Sequence, residues 1–270
     1  MKFGPGDARG ILHRLGPAGR FHHARHPPSP PLDAFVQHCW VVRWDLRGEA
    51  PQLQETLPHP NVYLVFEQGS ATVNGVASGR WSRMLEGEGF AFGVKFRPGG
   101  FRPFLGRAVS SLCDRSLPVQ DVFGDAGRKL EHDVFACSDD AAAMSEVAQR
   151  FLLDRLPPAD PDVDRVAAIV DAIAADRSLL KVDDLVARCD IGKRALQRLF
   201  SEYVGVGPKW VIARYRLHEA IDRIADGQRV DWSALALDLG YFDQAHFIRD
   251  FRRLVGRTPA GYALAVRDPG

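Results

Sequence analysis

Arginine, glutamine and histidine side chains recur at short intervals near the C-terminal end of the 270-residue chain. Gln244, His246 and Arg249 come first, and Arg252 and Arg253 follow within one further turn of a helix. Arginine and glutamine can each form two parallel hydrogen bonds with the edge of a nucleic-acid base, and arginine also binds phosphate. These residue types therefore indicate recognition of a polar surface by hydrogen bonds.

The apolar residues around these side chains predict two short helices with a tight turn between them. They are Leu235 and Leu239 in the first helix, and Phe247, Phe251 and Val255 in the second. Ser233 and Asp243 can cap the two helix starts, and Gly240 suits a left-handed turn. The second helix would pack by its phenylalanine face and expose its polar face, which is the layout of a helix-turn-helix recognition helix.

A second copy of this pattern lies 50 residues upstream, at residues 185–200. Leu185 matches Leu235, Asp190 matches Gly240, Leu196 matches Phe247 and Phe200 matches Phe251. The outward side chains of the copy are Lys193, Arg194, Gln197 and Arg198. Two matching units are much less expected by chance than one. Asp190 in the turn and Gly192 as a weak helix cap predict that the first unit is the looser of the two.

The two units, and the signature GY-FDQAHF-R-F-R---G-TP--Y in the second, resemble the AraC/XylS family of transcription regulators. The resemblance covers about residues 162–267. It implies a bacterial regulator that binds double-stranded DNA and activates transcription by contact with RNA polymerase. The side chains expected at base edges are Arg194, Gln197, Arg198, Gln244, His246 and Arg249. Those expected at phosphates are Lys193, Arg252 and Arg253. The alternatives are a solvated helix face for each arginine and a turn-supporting role for His246.

A long helix is predicted between the two units. Gly207-Pro208 marks its start and Gly227 its end. About nineteen residues at 1.5 Å each span roughly 28 Å. Two recognition helices must lie about 34 Å apart to enter successive major grooves, so a rigid linking helix could set their separation. Arg214 and Arg216 are expected on its surface.

Composition narrows the class of protein. The chain is 46% hydrophobic, has a net charge of +1, and contains neither a run of 18 apolar residues nor a signal-peptide core, so we expect no membrane partner. Cys39, Cys113, Cys137 and Cys189 lie far apart without a CxxC pair, which fits a reduced protein of the cytoplasm. Positive charge is local, because residues 191–216 contain six Lys or Arg and one acid. Such placement opposite phosphates matters more for DNA binding than the total charge.

The N-terminal half has a β-rich pattern, so the predicted fold class is α+β. Residues 1–31 are expected to be flexible, and residues 32–155 to form a small antiparallel β-barrel or sandwich with trailing helices. Asn74-Gly75 predicts a hairpin turn. Three prolines within residues 156–161 predict a linker, which leaves residues 162–267 as the DNA-binding domain.

The β-rich half could bind a small-molecule effector. Its stretch GVKFRPGGFRPFLG resembles the N-terminal, sensor-like module of a subset of AraC-type regulators. The candidate effector-binding residues are Trp40, Phe66, Trp81, Phe96 and Arg97. The aromatic residues could equally form a solid core, and Arg97 could pair with a structural carboxylate. The rival hypothesis is a domain that only forms a homodimer or binds a protein partner.

The sequence gives little support to the hypothesis that the protein is an enzyme. A metal site in a small barrel could use His38, His59 and Glu67, but no His-x-His pair accompanies them. The early histidines, His22, His23 and His26, fit a solvated loop. No glycine-rich phosphate loop or nucleophile elbow is present. We therefore expect no catalytic residue, no bound metal and no cofactor.

Overall fold

A computed structural model of the chain describes residues 20–225 and 230–267. Its N-terminal half contains eight strands. They are β1 (Phe21–His26), β2 (Val36–Leu46), β3 (Gln52–Thr56), β4 (Tyr63–Glu67), β5 (Ser70–Asn74), β6 (Trp81–Leu85), β7 (Gly87–Phe96) and β8 (Ser116–Pro118). Six of them form one antiparallel sheet in the order β1-β2-β7-β4-β5-β8, and β3 pairs with β6 as a separate ribbon. The predicted antiparallel β-rich domain is confirmed, but the sheets do not close into a barrel within the described residues.

Strand β1 corrects the expectation that residues 1–31 are flexible. Its sequence, FHHARH, contains three histidines and an arginine and gives no local strand signal. The strand forms because all six of its residues pair with β2, from Phe21 opposite Trp44 to His26 opposite Cys39. Residues 1–19 of that predicted segment lie outside the described residues.

The predicted hairpin turn at Asn74-Gly75 does not form, because β5 ends at Asn74 and pairs with β4 and β8 rather than with the next strand, β6. The hairpin of β5 is the one with β4. It turns at Gln68-Gly69, both of which have positive φ, at 49° and 75°. Gly75 serves a close approach instead, because a Cβ there would lie 1.9 Å from the carbonyl oxygen of Leu112.

One face of the six-stranded sheet is covered by helices. These are α1 (Arg102–Leu105), α2 (Val119–Phe123), α3 (Asp125–Ala136) and α4 (Ala141–Leu153), with short 3-10 turns at Pro30–Leu32 and Val109–Leu112. Alternate strand residues such as Leu64, Phe92 and Val94 pack under these helices and are fully buried. The opposite face is covered in part by the β3–β6 ribbon, which contributes Leu85 to a small cluster with Trp44.

The C-terminal half is helical. It consists of α5 (Pro161–Ala175), α6 (Val182–Cys189), α7 (Lys193–Tyr203), α8 (Pro208–Ala225), α9 (Trp232–Asp238), α10 (Gln244–Val255) and α11 (Pro259–Arg267). The predicted long helix is α8, and Gly227, its predicted end, lies outside the described residues. No described helix is both long and apolar enough to cross a membrane.

The two halves pack against each other. One hydrophobic cluster runs from the sheet through Val109 and Leu112 into the first helix-turn-helix unit, where it includes Phe200 and Val204. A second cluster contains the second unit together with Leu57, which follows strand β3. The proline-rich segment therefore joins two parts of a continuous packed structure.

Candidate nucleic-acid interface

The first unit consists of α6, a turn and α7. Asp190 ends α6 in the left-handed conformation, at φ 47° and ψ 48°, as its match to a turn glycine predicts. Gly192 caps α7 without a side-chain hydrogen bond. Leu196 and Phe200 are fully buried, so α7 presents its opposite face to solvent. That face carries Arg194, Gln197 and Arg198, which with Ser201 border one shallow depression.

The second unit consists of α9, a turn and α10. Gly240 has the predicted left-handed conformation at φ 78°. Asp243 caps α10 by accepting a hydrogen bond from the backbone N–H of His246, at 2.7 Å. The cap of α9 is Asp231 rather than Ser233, because its carboxylate accepts from the N–H groups of Ser233 and Ala234 at 2.9 and 3.1 Å.

The three arginines predicted to read bases are available for a ligand. Arg194, Arg198 and Arg249 are exposed, and none makes a hydrogen bond or an ion pair with another described residue. A guanidinium that is held on a helix and is not paired can offer its donors to guanine or phosphate. This is the strongest electrostatic feature of the predicted interface.

Two of the remaining predicted base contacts, Gln244 and His246, have partners within the chain. Gln244 is half-buried and accepts a hydrogen bond from the hydroxyl of Ser233 at 2.9 Å. His246 lies 3.8 Å from the carboxylate of Asp250, and the ring of Tyr241 meets its imidazole edge-on at 5.2 Å. Gln197 is exposed. His246 thus contacts the turn, as the alternative in the sequence analysis proposed, while its side chain stays half exposed.

The predicted phosphate contacts also differ among themselves. Lys193 forms an ion pair with Asp183 at 2.8 Å, and Arg253 forms one with Asp250 at 3.3 Å. Both pairs are exposed, so a phosphate can compete with the carboxylate. Arg252 is exposed, and its guanidinium makes no hydrogen bond or ion pair with another described residue.

The prediction that Arg214 and Arg216 lie on the surface of α8 is wrong. Arg214 is 1% exposed, donates to the carbonyl of Ser78 at 2.6 Å and stacks on Trp210 at 4.3 Å. Burial, and then the charge of Arg253, lower the pKa of Arg214 to about 10. Arg216 donates to the carbonyls of Ile173 and Asp176 at the end of α5. Sequence periodicity gave no sign of the carbonyl partners, because Ser78, Ile173 and Asp176 all lie outside α8.

The five predicted effector-binding residues do not converge. Phe66 and Phe96 are fully buried in the core under the helices, whereas Trp40 points to the other face of the sheet and lies across Gly93. Arg97 donates to the carbonyl of Asp33 at 3.2 Å and lies 3.8 Å from the carboxylate of Asp171. Trp81 is 44% exposed and borders an open groove.

This groove lies between the second face of the sheet and strand β6. Its volume is about 480 Å³, and its lining includes Val65, Glu67, Thr72, Asn74, Trp81 and Arg83. Arg83 and Glu67 form an ion pair across it. The amide of Asn74 donates to the hydroxyl of Thr72 at 3.0 Å and accepts from Ser116. The groove is therefore polar, with balanced charge, and Trp81 alone of its lining is among the predicted effector-binding residues.

The residues of the alternative metal site lie apart. His38 is opposite Lys95 in the sheet, His59 stacks on His218 of α8, and Glu67 pairs with Arg83. No group of three potential metal ligands occurs in the described part of the chain.

Comparisons with known proteins agree with this description of the C-terminal half. Residues 185–264 match the family described as a helix-turn-helix domain. Residues 24–118 match the family described as a domain of unknown function (DUF6597). No curated protein matches the chain.

Among solved structures, the chain is similar to ToxT of Vibrio cholerae. The alignment covers 92% of this chain and 97% of ToxT, at 12% identity and a TM-score of 0.41. ToxT bound to an unsaturated fatty acid aligns over 91% of each chain, at 15% identity and a TM-score of 0.39. ToxT bound to (E)-4-(8-methylnaphthalen-1-yl)but-3-enoic acid aligns over 92% of this chain and 100% of that one, at 12% identity and a TM-score of 0.40.

The matched helix-turn-helix domain contains both units described above, including the signature in the second. The unpaired arginines lie on its two recognition helices. The chain therefore carries an AraC-type helix-turn-helix domain over residues 185–264 and a domain of unknown function over residues 24–118.

Proposed function

We propose that the chain is a sequence-specific DNA-binding regulator that reads two successive major grooves in the cytoplasm. Helix α7 would contribute Arg194, Gln197 and Arg198, and helix α10 would contribute Gln244, His246 and Arg249. The observation that carries this proposal is the pair of exposed helix faces on which Arg194, Arg198 and Arg249 have no partner among the described residues. Lys193, Arg252 and Arg253 would bind phosphate.

The test is selection of bound DNA from a random pool by the full chain at fixed salt. Because successive major grooves lie one turn apart, we expect two enriched blocks about 10 base pairs apart. One block alone would mean that a single unit reads bases. No enriched sequence would contradict the proposal. The matched control is Arg128→Ala, which changes an exposed arginine of helix α3 and should select the same site.

We also propose that the N-terminal domain binds a small-molecule effector in the groove beside β6. The support is a concave surface lined by Trp81 and by hydrogen-bonding side chains such as Thr72 and Asn74. Its test is a thermal-shift screen of small molecules, followed by titration of intrinsic fluorescence. Stabilisation of the wild type that is lost in Trp81→Ala would support the proposal. A mass that rises with protein concentration, without any ligand effect, would favour the rival role in dimerisation.

We propose activation, by contact with RNA polymerase, as the result of DNA binding. The support is the AraC/XylS resemblance of both units. In vitro transcription from a promoter that carries the selected site should increase when the protein is added. A decrease would identify a repressor.

A further inference from the structure

We infer that the N-terminal domain, and not helix α8 alone, sets the distance between the two recognition helices. It would do so by holding each helix-turn-helix unit through a separate contact, and Arg80 is the key residue of the contact with the second unit. The inference rests on the proposed reading of two grooves.

Arg80 connects a buried carboxylate with the end of the second recognition helix. It directly precedes strand β6, and its guanidinium forms an ion pair with Glu55 of strand β3 at 2.9 Å. The Glu55 side chain is only 5% exposed, so the pair has a fixed position at the surface of the ribbon. The same Nη1 donates to the carbonyl of Val255, the last residue of α10, at 3.4 Å. A cation is favourable there, because the C-terminal end of a helix carries partial negative charge.

The contact is close because Gly256 follows the helix. A Cβ at Gly256 would lie 1.8 Å from Nη1 of Arg80, so a side chain here would displace the guanidinium from this position. Gly256 also has a left-handed φ of 85°, which ends the helix at this point. The N-terminal domain thus contacts the recognition helix at its C-terminal end.

Two neighbouring contacts attach the same region of the N-terminal domain to the C-terminal half. The carbonyl of Ser78, two residues before Arg80, accepts from Arg214 in the middle of α8. Leu57, just after strand β3, is buried in the hydrophobic cluster of the second unit. The second unit is therefore held by the residues that follow β3, by the loop that precedes β6, and by α8.

The first unit is held by a different part of the N-terminal domain. Arg102 of α1 forms an ion pair with Glu202 of α7 at 2.7 Å. Gly205, at φ 94°, lies against Val109, and a Cβ at this glycine would be 3.0 Å from the carbonyl oxygen of Val109. Helix α8 joins the two units, but each is also fixed to one shared body. A body attached at two points restricts their separation more than a single linking helix would.

The experiment measures how binding depends on the spacing of the two DNA blocks. The probes are the selected two-block site, the same site with two base pairs inserted between the blocks, and a single-block DNA. The proteins are the full-length wild type, Arg80→Ala, Arg80→Gln and the control Arg47→Ala. Arg47 is an exposed N-terminal arginine that pairs with Asp45 at 2.7 Å. Circular dichroism and thermal unfolding establish that each variant is folded.

We expect the insertion to weaken binding by the wild type strongly. In Arg80→Ala and Arg80→Gln this loss of affinity should be about fivefold smaller, which is at the low end of couplings between separate sites. Binding to the single block should stay unchanged, and Arg47→Ala should behave as the wild type. An unchanged spacing penalty in folded Arg80 variants would overturn the inference, as would an equal loss of affinity on every probe. If the wild type selects no two-block site, it is the proposed function that fails.

Discussion

At the scale of the residue, arginines of one sequence region have different roles because their surroundings differ. Arg198 and Arg249 are exposed and contact no charged partner among the described residues. Arg214 and Arg216, on the helix between them, are buried and donate to backbone carbonyls. A buried guanidinium is costly unless its donors are satisfied, so these two arginines hold the structure together while the exposed ones remain available to DNA.

Replacement of an exposed arginine should affect base preference. Arg198→Ala and Arg249→Ala should each weaken specific binding by about 1–3 kcal/mol and relax selectivity at one base pair, because a bidentate contact is lost. Arg252→Ala should weaken binding to all DNA sequences by the same factor, as expected for a phosphate contact. Competition titrations with single-base variants of the selected site measure both effects. Unchanged selectivity in both of the first two variants would contradict the assignment of base-reading residues.

His218 should make stability depend on pH. It is 1% exposed, its ring stacks on His59 at 4.2 Å, and burial, followed by the charges of His59, Arg214 and Lys95, holds its pKa well below the usual value. The unfolded chain binds a proton at His218 below about pH 6.5, whereas the native protein does not. Stability should therefore be full above that pH and fall by up to about 1.4 kcal/mol per pH unit below it.

The variant His218→Phe keeps an aromatic ring in this position and removes the titrating group. Urea unfolding between pH 7 and pH 5 should show a smaller loss of stability for this variant than for the wild type. His132→Phe is the control, because His132 is largely exposed. Parallel pH profiles for His218→Phe and the wild type would show that His218 does not contribute.

At the scale of the element, the two helix-turn-helix turns adopt one conformation with different residues. Asp190 and Gly240 are both left-handed, at φ 47° and 78°. Their matching positions in the two copies predict this, because the geometry of the turn is local. The strand β1 is the opposite case, since its formation depends on pairing with β2 and leaves no periodic signal in its own residues.

The two turns should respond in opposite directions to exchange of their residues. Asp190→Gly should stabilise the chain by up to about 1 kcal/mol, because it removes the left-handed penalty of a residue with a Cβ. Gly240→Ala should destabilise it by about 1–2 kcal/mol, and the new Cβ would also press on Leu180 at 3.1 Å. Chemical denaturation of the full chain measures both changes. A change of the same sign in the free energy of unfolding of both variants would contradict this account.

At the scale of the whole molecule, one hydrophobic core contains residues from both sides of the proline-rich segment at residues 156–161. Residues from the strands, from the helices that cover them and from the first unit belong to one buried cluster. Tyr203 of α7 also donates to Asp160 at 2.8 Å, and burial with this hydrogen bond raises the pKa of Tyr203 to about 12. The segment at residues 156–161 is thus fixed at its end by the first unit.

The full chain should therefore unfold in one cooperative thermal transition. Because the N-terminal domain and the first unit share buried surface, neither can unfold without exposing apolar residues of the other. Calorimetry should give a calorimetric enthalpy equal to the van't Hoff enthalpy. Glu202→Gln weakens the ion pair with Arg102. It should lower the midpoint temperature of the single transition and should not split it into two transitions. Two separate transitions in the wild type would show that the halves are energetically independent.

The sequence by itself determined the two helix-turn-helix units, their turns and the exposed side of each recognition helix. Helical periodicity and capping act over a few residues, so Asp190, Gly240 and Asp243 carry enough information locally. Only the tertiary structure decided that Arg214 is buried, that Phe66 and Phe96 are core residues, and that Arg80 contacts the end of α10. The last contact joins residues 175 positions apart. Such contacts depend on how distant elements pack, and no local pattern in either segment encodes them.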